Sequence, residues 1–273
     1  MRYLQNLHTH TNLCDGRDTP LEMAEAAYMQ GFDSLGFSGH AYTPFDVSYC
    51  MTEEQMLQYR KEISDLKEKF SGKLEVYCGI EWDLNADINR TEFEYVIGSV
   101  HYLKLQDEYV DFDRDSRAVR KVIDHYFEGN GIRFAKKYYE RLSELLTKNS
   151  VDIVGHFDLI TKNCEIDPKL FDPEGEEYCK IALESLHIIA EKNRVFEINT
   201  GAIARGYRQT PYPARFLLRE MKELNCQIVI TSDCHDSRYL KTHHREACEF
   251  AKSCGFSEML VFRQNDFCSI PII

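Results

Sequence analysis

The sequence predicts an α/β protein built on parallel strands, and three observations carry that prediction. Short apolar runs alternate along the chain with longer amphipathic ones, the order that strand–helix–strand units produce. The apolar runs end in histidine or an acid from the first to the seventh. No Pro/Gly/Ser-rich linker, repeat or low-complexity tract interrupts the 273 residues, so a single domain is expected over residues 1–273.

The strands are read as "RYLQNLH", "SLGFSGH", "LEVYCGIEW", "YVIGSVH", "VDIVGH", "RVFEINT" and "CQIVITSDCH", with "EMLVFR" as an eighth candidate. Most of the segments between them read as helices. "TPLEMAEAAYMQG" has Thr19 as N-cap, Pro20 in the first turn, Glu22 at the capping-box position and Gly31 at its end. "EEQMLQYRKEISDLKEKF", "GIRFAKKYYERLSELLTKN", "EEYCKIALESLHIIAEKN" and "PARFLLREMKELN" carry apolar residues at helical spacing. Two links break the rhythm. Glu81 to His101 is short for a helical crossover. His101 to His156 is long and rich in aromatics and charge, which predicts an insertion at about residues 104–132 over one mouth of the fold.

Composition bounds the function. A net charge of −12, with histidine neutral, makes a poor general binder of nucleic acid or anionic membrane. No stretch approaches the roughly 18 apolar residues of a membrane span. The start of the chain has no basic segment followed by an apolar run. The ten cysteines form no C-x-x-C pair, so reduced, mostly buried thiols in a cytoplasmic protein are expected.

The strand ends carry the chemistry: His8 and His10, His40, Glu81, His101, His156, Glu197, then Asp233 and His235. In a barrel of parallel strands the C-terminal ends meet on one face. Strand residues i and i+2 point the same way, so His8 and His10 present two imidazoles toward one point. Asp233-x-His235 is expected to repeat the device. A lone histidine is ordinarily a core or surface group, and His125, His187, His243 and His244 are read that way. With Asp15, nine ligand-type residues recur: His8, His10, Asp15, His40, Glu81, His101, His156, Asp233 and His235. One ion cannot use nine and leave room for substrate. Two or three divalent ions can, with Glu81 as the bridge, and histidine with carboxylate suits zinc, manganese or iron. Closely spaced ions favour phosphoryl or acyl hydrolysis, because they clamp the attacking and leaving oxygens.

Taken together, "HTHTNLCDG", "FSGH", "GIEWD", "GSVH", "GHFDLI" and "TSDCH" resemble the PHP family, the polymerase and histidinol phosphatase metallohydrolases. The match spans residues 8 to 235, and the ordered set is far more specific than HxH alone. The resemblance implies a distorted (β/α)7 barrel with up to three metal ions at the C-terminal ends of the strands. It implies His8, His10, Glu81 and Asp233 on one ion, Glu81, His101 and His156 on a second, and Asp15, His40 and His235 on a third. The free-standing length, "GHFDLI", "FEINTG" and the insertion after "GSVH" are most similar to the histidinol-phosphate phosphatase branch. That likeness implies hydrolysis of a small phosphate monoester, L-histidinol phosphate, in histidine biosynthesis.

The expected chemistry is attack on phosphorus by a hydroxide held between the ions. Arg205 is the first choice to bind phosphate, with Arg208, Arg263, Arg114 and Arg117 as further candidates, since arginine's planar fork suits phosphate. Asp15 or His235 is expected to protonate the leaving oxygen. Asp83 is expected to meet the substrate's cationic groups, and Tyr109 or Phe112 to cover its imidazole. Cys14 and Cys234 are read as packing residues, Cys234 pointing away from its neighbours by strand alternation. The rival readings are a PHP-type phosphoesterase acting on nucleotides, an amidohydrolase-type barrel that would need a bridging lysine, and a non-catalytic metal-binding module.

Overall fold

The computed structural model describes residues 3–273. In chain order the elements are β1 (Gln5–Asn6), α1 (Pro20–Met29), β2 (Ser34–Phe37), α2 (Glu53–Lys69), β3 (Glu75–Asp83) and β4 (Tyr95–Ser99). A hairpin follows, β5 (Tyr102–Leu105) and β6 (Glu108–Asp111), then α3 (Ser116–Phe127) and α4 (Gly131–Lys148). The rest are β7 (Ile153–Val154), α5 (Glu176–Ala190), β8 (Val195–Asn199), α6 (Gly201–Ala204), α7 (Arg215–Glu223), β9 (Gln227–Thr231), α8 (His244–Ser253), β10 (Glu258–Arg263) and β11 (Asp266–Pro271).

Seven strands form one sheet in the order β1-β2-β3-β4-β7-β8-β9, every pair parallel. The sheet curls until its edges meet. A parallel bridge joins Thr9 to Cys234, with His10 N donating to Cys234 O at 2.8 Å and Cys234 N to His8 O at 3.0 Å. This is the distorted seven-stranded barrel. The join lies at the C-terminal ends of β1 and β9, beside the predicted site.

The eighth candidate strand is not a barrel strand. β10 pairs antiparallel with β11. Its Leu260 and Phe262 pack with Leu7, Tyr77, Tyr95, Ile97 and Val229, and so close the other end of the barrel. The Gln5 amide fastens the hairpin there, donating to Phe262 O at 2.7 Å and accepting from Phe262 N at 2.8 Å.

Local sequence explains the elements. Thr19 accepts from Glu22 N at 3.2 Å and Glu22 accepts from Thr19 N at 2.8 Å, the reciprocal cap that starts α1. α2 buries Tyr59, Ile63 and Leu66, spaced as one helical face. After Glu75, β3 is buried along its whole length, as a strand covered on both faces requires. Tyr95 fills the barrel interior, and its hydroxyl donates to Leu7 O at 2.5 Å. Room for it comes from Gly36 and Gly79: a Cβ on either would lie 2.3 and 2.2 Å from the Tyr95 side chain. The short link from β3 to β4 holds a three-residue turn, Arg90–Glu92, and the long link from β4 to β7 holds β5, β6, α3 and α4.

Candidate metal centre

All nine sequence-selected residues come together at the C-terminal mouth. His8 and His10 are fully buried. Glu81 stands at the middle and its two oxygens face different partners. Oε2 lies 3.2 Å from His8 Nε2, 3.5 Å from His10 Nε2 and 3.0 Å from His40 Nδ1. Oε1 lies 3.4 Å from His101 Nε2 and 3.0 Å from His156 Nε2. Asp233 Oδ1 is 3.6 Å from His8 Nε2, 3.3 Å from His10 Nε2 and 3.6 Å from His235 Nδ1. Asp15 lies 3.4 Å from His10 Nδ1, 3.6 Å from His40 Nε2 and 3.1 Å from His235 Nε2.

These spacings fit divalent ions. Two donors on one ion, each at about 2.1 Å, stand roughly 3.0–3.4 Å apart at right or tetrahedral angles. Buried ring nitrogens normally have a hydrogen-bond partner, yet His8 Nε2, His10 Nε2 and His40 Nδ1 have none. Each faces a carboxylate across the space an ion would fill. The donors fall into three overlapping groups: His10, Asp15, His40 and His235; His8, His10 and Asp233; and His40, Glu81 and His101. His10 and His40 are thus shared between groups, as well as Glu81 standing between two sets. Burial alone would raise Glu81, yet His40, His8 and His101 hold it well below the usual carboxylate range. Burial likewise opposes the Asp233 charge, and Arg205 and His8 outweigh it.

The approach of Asp233 and His235 differs from the expected alternation. β9 ends at Thr231, and Asp233 has φ +46°, in the left-handed region. Aspartate tolerates that region better than most residues. The turn, rather than strand pleating, brings both side chains to Asp15 and His10. Cys234 makes the bridge to Thr9 and its thiol donates to Asp236 O at 2.9 Å. Burial pushes the Cys14 thiol up to about 12, helped by Asp15, so it stays protonated beside His10.

A cavity of about 230 Å³ opens over the cluster. Arg205 lines it, donating to Asp233 Oδ2 at 2.9 Å and to Asp233 O at 2.9 Å. The other substrate candidates lie elsewhere. Asp83 accepts from His101 N at 2.8 Å and faces His101 Nδ1 at 3.3 Å, so it orients that ring and has no free reach to a ligand. Arg208 lies behind the cavity wall, on Thr161 and 3.8 Å from Asp158. Arg117 is exposed on α3 and does not line the cavity. Arg114 is paired with Asp111 at 2.6 Å. Arg263 packs over the Tyr3 ring at the opposite end of the barrel. Phe112 is buried against Phe134 and Tyr138, and Tyr109 stacks on Phe45. Tyr49 instead sets its ring edge-on against His40, centroids 4.8 Å apart.

Two residues of the site, Lys162 and Asp113, escaped the sequence reading, and a third was read without a role. Glu197, seen only as a strand-end acid, is fully buried and accepts from four groups: His8 Nδ1 at 2.9 Å, His156 N at 2.6 Å, Thr231 Oγ1 at 2.8 Å and Asn199 Nδ2 at 2.9 Å. It fixes which nitrogen of His8 faces the cluster. Lys162 and Asp113 both line the cavity, and Lys162 Nζ donates to Asp113 Oδ1 at 2.7 Å. The only available signal was Lys162's position six residues after His156, in a loop.

Residues 6–201 match the model of the PHP domain. The chain belongs to the PHP domain family. Among its PHP relatives is a probable histidinol-phosphatase of Deinococcus radiodurans, 30% identical over 246 residues, covering 86% of this chain and 87% of the relative. Another is the histidinol-phosphatase of Bacillus subtilis, 26% identical over 252 residues, with 84% and 92% covered. The histidinol phosphate phosphatase of Lactococcus lactis, solved with Zn, L-histidinol and phosphate, shares this PHP fold: TM-score 0.75, 20% identity, 97% and 98% of the two chains covered.

Proposed function

We propose that this protein is a metal-dependent phosphomonoesterase that hydrolyses L-histidinol phosphate to L-histidinol and phosphate, in histidine biosynthesis. The observation that carries the reading is the Glu81-centred cluster of histidines and carboxylates at the barrel mouth. Kinship with the histidinol-phosphatase of Bacillus subtilis and the probable histidinol-phosphatase of Deinococcus radiodurans supports the substrate. Divalent ions bound there would lower the pKa of water and neutralise phosphate oxygens.

The nine clustered residues are assigned as the ligands. Arg205 binds a phosphate oxygen while Asp233 holds its guanidinium in place. Asp15 and His235 are the most open of the nine, 32% and 25% exposed, and lie 3.1 Å apart. We place proton delivery to the leaving oxygen on that pair. Lys162 and Asp113 face the same cavity with opposite charges and are placed to select the remainder of the substrate. Asp113 follows the β5–β6 hairpin, so residues of about 104–132 are read as a specificity element of a single-domain enzyme. No helix among the described residues is long and apolar enough to cross a membrane. Ten free cysteines support a reducing, cytoplasmic setting.

The test is phosphate release by metal-replete protein from L-histidinol phosphate beside a panel of nucleotide and sugar monophosphates. The expected result is a kcat/KM for histidinol phosphate orders of magnitude above the panel. Equal rates across the panel would remove the pathway and leave a phosphoesterase of another substrate.

A further inference from the structure

A second cavity, of about 680 Å³, lies behind the metal cavity and shares two of its walls. From the turn after β7, Leu159 and Lys162 face the metal cavity while Asp158 and Thr161 face the second. From the segment after α6, Arg205 faces the metal cavity and Arg208 the second.

Arg208 is the unusual group. Its side chain is only 7% exposed. Among the described residues its single side-chain hydrogen bond goes to Thr161 Oγ1. Its face stacks on the Tyr212 ring, 4.3 Å from the centroid. The nearest carboxylate, Asp158, stands 3.8 Å away, outside hydrogen-bond distance. Arg208 Nε and Asp158 Oδ1 are both buried without a partner. A guanidinium has five donors, and buried polar groups are ordinarily satisfied. This one is short of acceptors and lines an open cavity. Arg215 and Arg219, one turn apart on α7, line it too, and Glu165, Asp172 and Glu174 supply acids.

We propose that this cavity is a second small-molecule site, which takes a zwitterion with its carboxylate on Arg208 and its ammonium on Asp172 and Glu174, and which acts on the metal cavity through the shared walls. The planar guanidinium fork matches a carboxylate. Both signs of charge line the cavity, so a molecule carrying one of each is matched where a phosphate dianion would meet Asp158, Asp172 and Glu174. The metal cluster is not needed for this binding, so the site is independent of the substrate reading.

The test is calorimetry on the metal-replete protein with glycine, L-glutamate and L-lysine, using propionate and propylamine as single-charge controls. At least one amino acid is expected to bind saturably, with each control roughly tenfold weaker, the worth of one charge-assisted hydrogen bond. Bound amino acid is expected to change the affinity for inorganic phosphate at the metal cavity by about fivefold or more. Arg208→Met should abolish amino-acid binding. Because that variant leaves Asp158 buried opposite no charge, Arg219→Ala, at an exposed position, provides the second arm and should weaken binding with the fold intact. No binding by any of the three amino acids overturns the proposal. So does binding unchanged in both Arg208→Met and Arg219→Ala, and so does binding lost with the metal, which would place it on the cluster. An unchanged phosphate affinity overturns the coupling through the walls.

Discussion

Arg205 and Glu197 act on the site from opposite sides. Arg205 reaches the open cavity and touches Asp233 through two hydrogen bonds. Arg205→Ala is expected to lower kcat/KM by about 10²–10³-fold, the usual worth of one donor aimed at developing charge. Steady-state kinetics with metal content measured in parallel checks it, and an unchanged kcat/KM removes Arg205 from the site. Glu197 is fully buried beneath the cluster and does not line the metal cavity. Glu197→Gln keeps the volume but turns one of the two oxygens into an NH2 donor, so either His8 and Thr231 or His156 and Asn199 lose their acceptor. Metal affinity is expected to fall by roughly 10–100-fold, read by chelator competition. At this scale the sequence was informative wherever chemistry sat on a strand end. His8, His10 and Glu81 follow the strand pattern that found them, whereas Asp233 was found by sequence but reaches the site through a left-handed turn after β9. Lys162 and Asp113 come from loops with no period, and only folding brings them together. Arg208 and Arg263 were candidates by residue type, but the direction in which a loop or a hairpin turns decides what an arginine meets.

Elements place the site by packing against one another. Tyr95 on β4 lies over Gly79 on β3 and Gly36 on β2 and so sets how closely these strands stand, two of which end in His40 and Glu81. Gly79→Ala puts a methyl 2.2 Å from the Tyr95 ring. Overpacking of that kind is expected to cost about 1–3 kcal/mol. Denaturant unfolding checks it, with a lower midpoint at an unchanged slope as the expected outcome. Helices α1, α2, α4, α5 and α7 were legible because caps and apolar spacing are local, while α3, α6 and α8 were not read from the sequence. The role of the 258–271 hairpin was not, because strand propensity says nothing about which sheet a strand joins.

For the whole molecule, the cluster ties stability to metal and to pH. Burial works against charge on His8 and His101, but the surrounding carboxylates, Glu197 and Glu81 foremost, raise both well above the ordinary 6.5. His235 is raised by Asp15, against burial. Burial, His235 and His40 push His10 the other way. The raised histidines bind protons more tightly in the folded metal-free protein than in the unfolded chain. Their contribution is complete below pH 6.5 and is lost as pH rises through the raised values. The metal-free protein should therefore lose Tm as pH rises above 6.5. Metal binds neutral histidine, so the gap in Tm between zinc-loaded and chelated protein should widen over the same range. Thermal scans in zinc and in chelator check it, and a gap that narrows with pH contradicts it. In a protein with a net charge of −12, ions held here would add local positive charge to that of Arg205 and Lys162, against a repulsive average field.

The backbones of His8, His10 and Cys234 zip β1 to β9 at the mouth, and the Asn6 side chain joins Ser232 beside them. The first imidazole pair and the seam of the barrel are therefore the same few residues. Loss of metal frees those side chains, and the strand pair they belong to is held by one registered bridge, Thr9 with Cys234. The amides of His10 and Cys234 then act as built-in gauges: their deuterium uptake should quicken on chelation while those of β3 and β4, paired along their length, keep their pace.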